Sequence, residues 1–112
     1  MPKRRVERSL TGAALLFAAL GDPTRLTLLQ RLSDGGPASI SMLAETFAIT
    51  RQGVTKHLQV LAGAGVIDGS RHGREQVWTI NPQRLADGRR HLDAISREWD
   101  DALARFKTHV EQ

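Results

Sequence analysis

Between Ala44 and Arg74 the chain reads AETFAITRQGVTKHLQVLAGAGVIDGSRHGR, and this stretch constrains the fold more than any other. Val54, Leu58 and Leu61 stand at i, i+4 and i+7, the repeat of a helix with a single apolar face. Gln52, Thr55, Lys56 and Gln59 fall on the opposite face. The spacing predicts a helix over 51–62 with Thr50 as its N-cap, stopped by Gly63 and Gly65. A shorter helix over 41–47 precedes it, separated by a turn at Ile49-Thr50. Val66-Ile67 then opens a strand whose partner is 76–80. Arg71-His72-Gly73-Arg74 forms the hairpin tip, where Gly73 permits the turn. No Asp or Glu lies between Glu45 and Asp68. One face anchors the second helix, and the other offers cations, amides and hydroxyls. Such a surface suits a polyanion whose edges are read by hydrogen bonds.

Charge is unevenly spread. Residues 1–82 hold ten Lys/Arg against six Asp/Glu, and residues 83–112 hold six of each, so the formal +4 resides in the front of the chain. Basic charge by itself also fits ribosomal or membrane-surface proteins. At 112 residues one domain is expected, with a core thin enough to gain from burial against a second copy. There is no cysteine, which excludes disulfides, thiolate metal sites and cysteine nucleophiles. The apolar run 13–20 is short and leads into Gly21-Asp22-Pro23, so it reads as a buried helix rather than a signal or a membrane span. A cytoplasmic location is the expectation.

The remaining elements follow from caps and periods. Residues 1–9 are predicted to be a mobile basic arm. Lys3, Arg4 and Arg5 within it suit equally a grip on phosphate and a solubilising tail. A helix apolar on most sides, including Leu15 and Leu16, runs over 11–20. Asp22-Pro23 begins a second helix, with Asp22 capping and Leu26, Leu29 and Leu32 as its buried stripe, ended by 33–37. Asn81-Pro82 breaks the chain before a last helix over 83–110. There Leu85, Leu92, Ile95, Trp99, Leu103, Phe106 and Val110 are separated by 7, 3, 4, 4, 3 and 4 residues, one apolar stripe at helical period. No later element covers it, so self-association is the economical answer. The expected architecture is mainly α with a small β-hairpin, in the order α-α-α-α-β-β-α. It divides into an arm (1–9), a DNA-binding unit (10–82) and a dimerisation helix (83–112).

Ala19-Leu20-Gly21-Asp22-Pro23-Thr24-Arg25, Leu43-Ala44, Val54-Thr55-Lys56-His57-Leu58, Leu61, Ala64-Gly65-Val66-Ile67 and Arg71-His72-Gly73-Arg74 occur in this order and at these intervals. In these features the chain resembles the winged helix-turn-helix repressors of the ArsR type, well over residues 14–81 and loosely over the last helix. The resemblance implies a homodimer paired through its first and last helices, here through Leu15, Leu16, Leu92, Ile95, Trp99, Leu103, Phe106 and Val110. It also implies binding to an inverted repeat in double-stranded DNA, frequent control of the repressor's own operon, and release by an effector. The sequence departs from metal-sensing members in two places. Ala38-Ser39-Ile40-Ser41-Met42 stands where those members carry a cysteine box. His91 and His109 are 18 residues apart, without acidic partners at the offsets expected of a last-helix site. No metal site and no cofactor are therefore expected, and the chemistry of any small-molecule effector is left open.

In the DNA-binding reading, Thr50, Arg51, Gln52, Thr55, Lys56 and Gln59 meet the major groove. Arg71, His72 and Arg74 meet the flanking backbone or the minor groove. Glutamines pair with adenine edges and cations with guanine or phosphate. The alternatives are a metal sensor using His, Asp and Glu between subunits, and a winged-helix module that binds protein. For the latter, an apolar or acidic outer face on helix 51–62 is expected, which Gln52, Thr55, Lys56 and Gln59 oppose. His57 reads as a structural hydrogen bond at the core margin. No nucleophile–base pair, carboxylate pair or phosphate-cradling glycine loop is present, so catalysis is not expected.

Overall fold

The computed structural model describes the backbone of residues 3–111 and the side chains of residues 10–111. Five helices and three strands follow in the order α1 (Lys3–Leu20), α2 (Pro23–Gly35), β1 (Ala38–Ser39), α3 (Ile40–Phe47), α4 (Arg51–Gly63), β2 (Ile67–His72), β3 (Glu75–Ile80) and α5 (Pro82–Glu111). The strands form one antiparallel sheet in the order β1-β3-β2. This is the mainly α architecture with a hairpin that the pattern predicts, with one strand added. β1 pairs Ala38 with Trp78 and Ser39 with Val77. Two residues have no period to detect. Their place is set by contact: Ala38 is buried, and the Ser39 hydroxyl accepts the Met42 amide at 3.2 Å, capping α3.

The core lies where α1, α2, α3 and α4 converge on the base of the hairpin. Leu16, Leu28, Leu32, Leu43, Val54, Leu58, Leu61, Val66 and Ile67 fill it, with Phe17, Trp78, Ile80 and Leu85 packed around it. On α2 the buried stripe is Leu28, Leu29 and Leu32, and Leu26 is 49% exposed, contrary to expectation. Leu26 and Leu28 are about 200° apart around a helix, so only one can face inward. Leu28 is the one that joins the core shared with Val54, Leu58 and Leu61 of α4.

Two expectations for α1 are corrected. The helix starts at Lys3 instead of Thr11, because the stretch from Lys3 to Leu10 contains neither Gly nor Pro and is rich in good helix formers. The side chains of the arm, including Lys3, Arg4 and Arg5, lie outside the described residues. The second correction concerns Leu15 and Leu16, expected together on a pairing surface. Consecutive helical residues point about 100° apart. Leu16 turns into the chain's own core at 1% exposure, while Leu15 stays 60% exposed.

The first turns of α5 anchor it to the body. Arg84 donates from Nε to the Ala64 carbonyl at 2.9 Å and from Nη2 to the Gly12 carbonyl at 2.5 Å, joining the end of α4 to the middle of α1. One turn later Gly88 is buried against Leu16, and a Cβ there would lie 2.5 Å from the Leu16 Cδ2. A mid-helix glycine costs about 1 kcal/mol relative to alanine. Close approach of α5 to α1 explains its presence. Gly88→Ala is expected to lower unfolding stability by about 1–2 kcal/mol despite the better helix former, because the methyl would displace Leu16, which is itself buried in the core. Urea denaturation followed by far-UV circular dichroism checks this.

Candidate nucleic-acid interface

α4 is built to show one face. Val54, Leu58 and Leu61 are fully buried, while Arg51, Gln52, Lys56 and Gln59 are exposed and Thr55 is half-buried. Its start is firmly capped. The Thr50 hydroxyl accepts the Gly53 amide at 3.0 Å. A Cβ at Gly53 would stand 3.0 Å from Ile49 and 3.1 Å from the Thr50 hydroxyl, so glycine keeps the cap uncrowded. The turn before it is longer than Ile49-Thr50 alone. Ala48 adopts the left-handed conformation at φ 52° and ends α3. The Ile49 amide then donates to the Ala44 carbonyl at 3.2 Å. This turn sets α4 at an angle to α3 and leaves its N-terminus open to solvent. Arg51, Gln52, Thr55 and Lys56 together wall an open concavity of about 390 Å³. Thr55 spends its hydroxyl proton on the Arg51 carbonyl at 2.7 Å, which leaves the oxygen as an acceptor and the methyl as a contact. First-turn amides and two cations at one helix start make a ready anion site.

The hairpin differs in detail from its predicted form. His72 pairs with Glu75, so the turn is only Gly73-Arg74, with Gly73 at φ 64°. Arg71 and His72 belong to β2 and, as successive strand residues, face opposite sides. Arg71 shares a face with Gln76, its partner in the register, and with the next pair on that face, Gly69 and Trp78. His72 lies on the other face, where its Nε2 is 3.1 Å from the Ser70 hydroxyl. Arg71, His72 and Arg74 are all exposed but are split between two faces and the turn, and Glu75 stands directly opposite His72. Gly69 is required beneath Trp78, since a Cβ there would lie 3.0 Å from the indole and 2.4 Å from the Gln76 amide.

Behind the outer face lies a polar junction that sequence reasoning did not assemble. Asp22 caps α2 by accepting the Arg25 amide at 2.9 Å. The Arg25 side chain reaches back to the last turn of α1, with Nε donating to Ala19 at 2.6 Å and Nη2 to Ala18 at 3.3 Å. The His57 Nδ1, on the inner flank of α4, is 3.9 Å from the same Asp22 oxygen. The cap at Asp22 was legible, but its contact with His57 joins residues 35 apart and leaves no local signal.

A helix-turn-helix domain family model matches residues 20–69. An HTH-type transcriptional regulator of Mycobacterium tuberculosis is 34% identical over 90 residues, 80% of each chain. Among solved structures, an ArsR-like transcriptional regulator from Rhodococcus sp. RHA1 is 34% identical and superposes with a TM-score of 0.80, covering 88% of this chain and 92% of that one. The chain belongs to the ArsR-type winged helix-turn-helix regulators. The transcriptional repressor SmtB of Mycobacterium tuberculosis is a further relative, 30% identical over 84% of this chain and 67% of that protein. This regulator is thus a DNA-binding protein of transcription control, from a family of regulators rather than of enzymes. Among its described residues no three His, Asp or Glu side chains gather as a metal-binding group. No helix among them is long and apolar enough to cross a membrane.

The carboxyl of Asp22 is held below the usual carboxylate range, chiefly by the Arg25 amide, against a smaller desolvation and with help from the charges of Arg25 and His57. A depressed folded-state value means that Asp22 stabilises the regulator fully above the ordinary carboxylate range of about pH 4. That contribution is lost as pH falls through the lowered value. Asp22→Asn should therefore show a smaller loss of thermal stability than the wild type between about pH 5 and pH 2, measured as the difference between their melting curves.

Proposed function

We propose that this regulator is a homodimeric repressor that binds an inverted repeat, with α4 of each protomer in the major groove and the hairpin on the flanking backbone or minor groove. The observation that carries the reading is the division of α4. Three fully buried apolar side chains leave Arg51, Gln52, Lys56 and Gln59 exposed beside a capped N-terminus. In the major groove the two glutamines are matched to adenine edges and the two cations to guanine or phosphate. Arg74 at the turn and Arg71 and His72 on β2 serve the flanks from different sides of the hairpin. Repression at the regulator's own operon follows the habit of its family, and the name of the SmtB relative supports the sign.

The pairing surface is read from α5 and α1. Leu92, Ile95, Trp99, Leu103, Phe106 and Val110 on α5 are between 49% and 66% exposed, and Leu10 and Leu15 on α1 are similarly open. Burying six such side chains is worth on the order of 10 kcal/mol per protomer before the costs of association. Residues 83–112 then act as the dimerisation helix, setting two α4 helices about 34 Å apart, one turn of duplex.

Replacing Arg51 and Lys56 together by Glu should abolish binding to a duplex selected by the protein from a random-sequence library. It should leave the molecular mass from light scattering unchanged. Wild-type affinity should fall steeply with salt, as phosphate contacts require. Unchanged binding by the double variant would overturn the α4 reading. Trp99→Glu with Leu103→Glu should yield a folded monomer by sedimentation, with duplex affinity reduced at least about a hundredfold through loss of the second half-site.

A further inference from the structure

The inner flank of α4 carries a charge contact that groove binding does not use. His57 is half-buried, and its Nδ1 lies 3.9 Å from Asp22 Oδ2, an ion-pair distance rather than a hydrogen bond. The same carboxylate oxygen accepts the Arg25 amide, and Arg25 in turn holds the Ala18 and Ala19 carbonyls. One carboxylate therefore sits where the end of α1, the start of α2 and the middle of α4 meet. α1 bears part of the proposed pairing surface, and α4 bears the proposed DNA face.

We propose that His57 is a positioning residue for DNA binding, whose protonated imidazole ties α4 to the Asp22 carboxylate and fixes the angle at which Arg51, Gln52, Lys56 and Gln59 are presented. The inference rests on the reading of α4 as the groove helix. A neutral imidazole has no net charge with which to attract the carboxylate, and an imidazolium does. The lowered Asp22 carboxyl stays ionised well into acid, so the charge that completes the contact has to come from the ring. Among the described residues, the one charged group in contact with the ring is the Asp22 carboxylate. α2 supplies the Asp22 carboxylate and, behind it, the Arg25 guanidinium, whose cation opposes protonation. That guanidinium is directed at the α1 carbonyls. On α4 itself, Arg51 and Lys56 lie toward the outer face. A tethered α4 has less orientational freedom to lose on docking, so the bound complex gains relative to the free protein.

A second histidine, His72, stands on the proposed DNA-facing hairpin, so the test uses a His72→Gln parent. Binding of the selected duplex is followed by fluorescence anisotropy at constant salt from pH 8 to pH 5.5. The parent is compared with added His57→Gln, with added Asp22→Asn and with both. Asparagine is also a good N-cap, so Asp22→Asn keeps the start of α2. As pH falls, the parent should gain about two- to fivefold in affinity over either variant, the scale of a partly exposed ion pair. The combined variant should add nothing to the single ones. If His57→Gln does not fold, the Asp22→Asn series decides by the same criterion. Parallel profiles for parent and variants, or a gap of opposite sign, overturn the role of His57 while leaving α4 as the groove helix. A parent that selects no duplex at any pH overturns both.

Discussion

The inward face of α4 is the constraint on which the molecule turns. Val54, Leu58 and Leu61 have no exposed surface, and Leu28, Leu43 and Ile67 around them have almost none. Burial of each such side chain is worth about 1.5–3 kcal/mol. A rotation of α4 by one residue, about 100°, would expose the stripe and bury Lys56 or Gln59 without partners. The cost of that error fixes the rotational phase of the helix, and the phase fixes which polar groups face outward. Function in this fold is thus a consequence of what the core excludes.

Around this core, arginines close the ends of helices that the apolar contacts leave open. The last carbonyls of a helix lack internal partners and need donors from elsewhere. Arg25 supplies them to α1 at Ala18 and Ala19, and Arg84 supplies them to the end of α4 at Ala64. Both side chains are half-buried and neither lies on the proposed DNA face. Arg31 does the same at the end of α2, donating to the Gly36 carbonyl at 3.2 Å, so at least three of the sixteen Lys and Arg residues act inside the fold and net charge overstates what is offered to a polyanion. Arg84 and Gly88 also decide where α5 leaves the body. Past that anchor the helix runs on with its apolar stripe exposed, the surface on which the proposed pairing rests.

Much of this was legible in the chain. The caps at Asp22 and Thr50, the phase of α4, the hairpin and the stripe on α5 are local or periodic features, and local features survive in a one-dimensional reading. The places where expectation and structure part share a cause. Leu26 and Leu28 are both apolar, as are Leu15 and Leu16, and the side on which neighbouring elements lie decides which is covered. β1 is too short for a period and exists through its pairing with β3. Arg71 and His72, read together as a tip, are separated onto two faces by the register of the hairpin.

By itself the sequence determined the elements, their caps and the polar character of the α4 face, because period, cap chemistry and charge are properties of neighbouring residues. Tertiary structure alone decided that Leu16 faces inward, that Gly88 is needed beneath it, and that Arg84 bridges to Gly12. It also decided that His57 meets the carboxylate that caps α2. Each of these joins residues 35 to 72 positions apart, and such contacts arise only when the core has brought distant helices within a few ångströms.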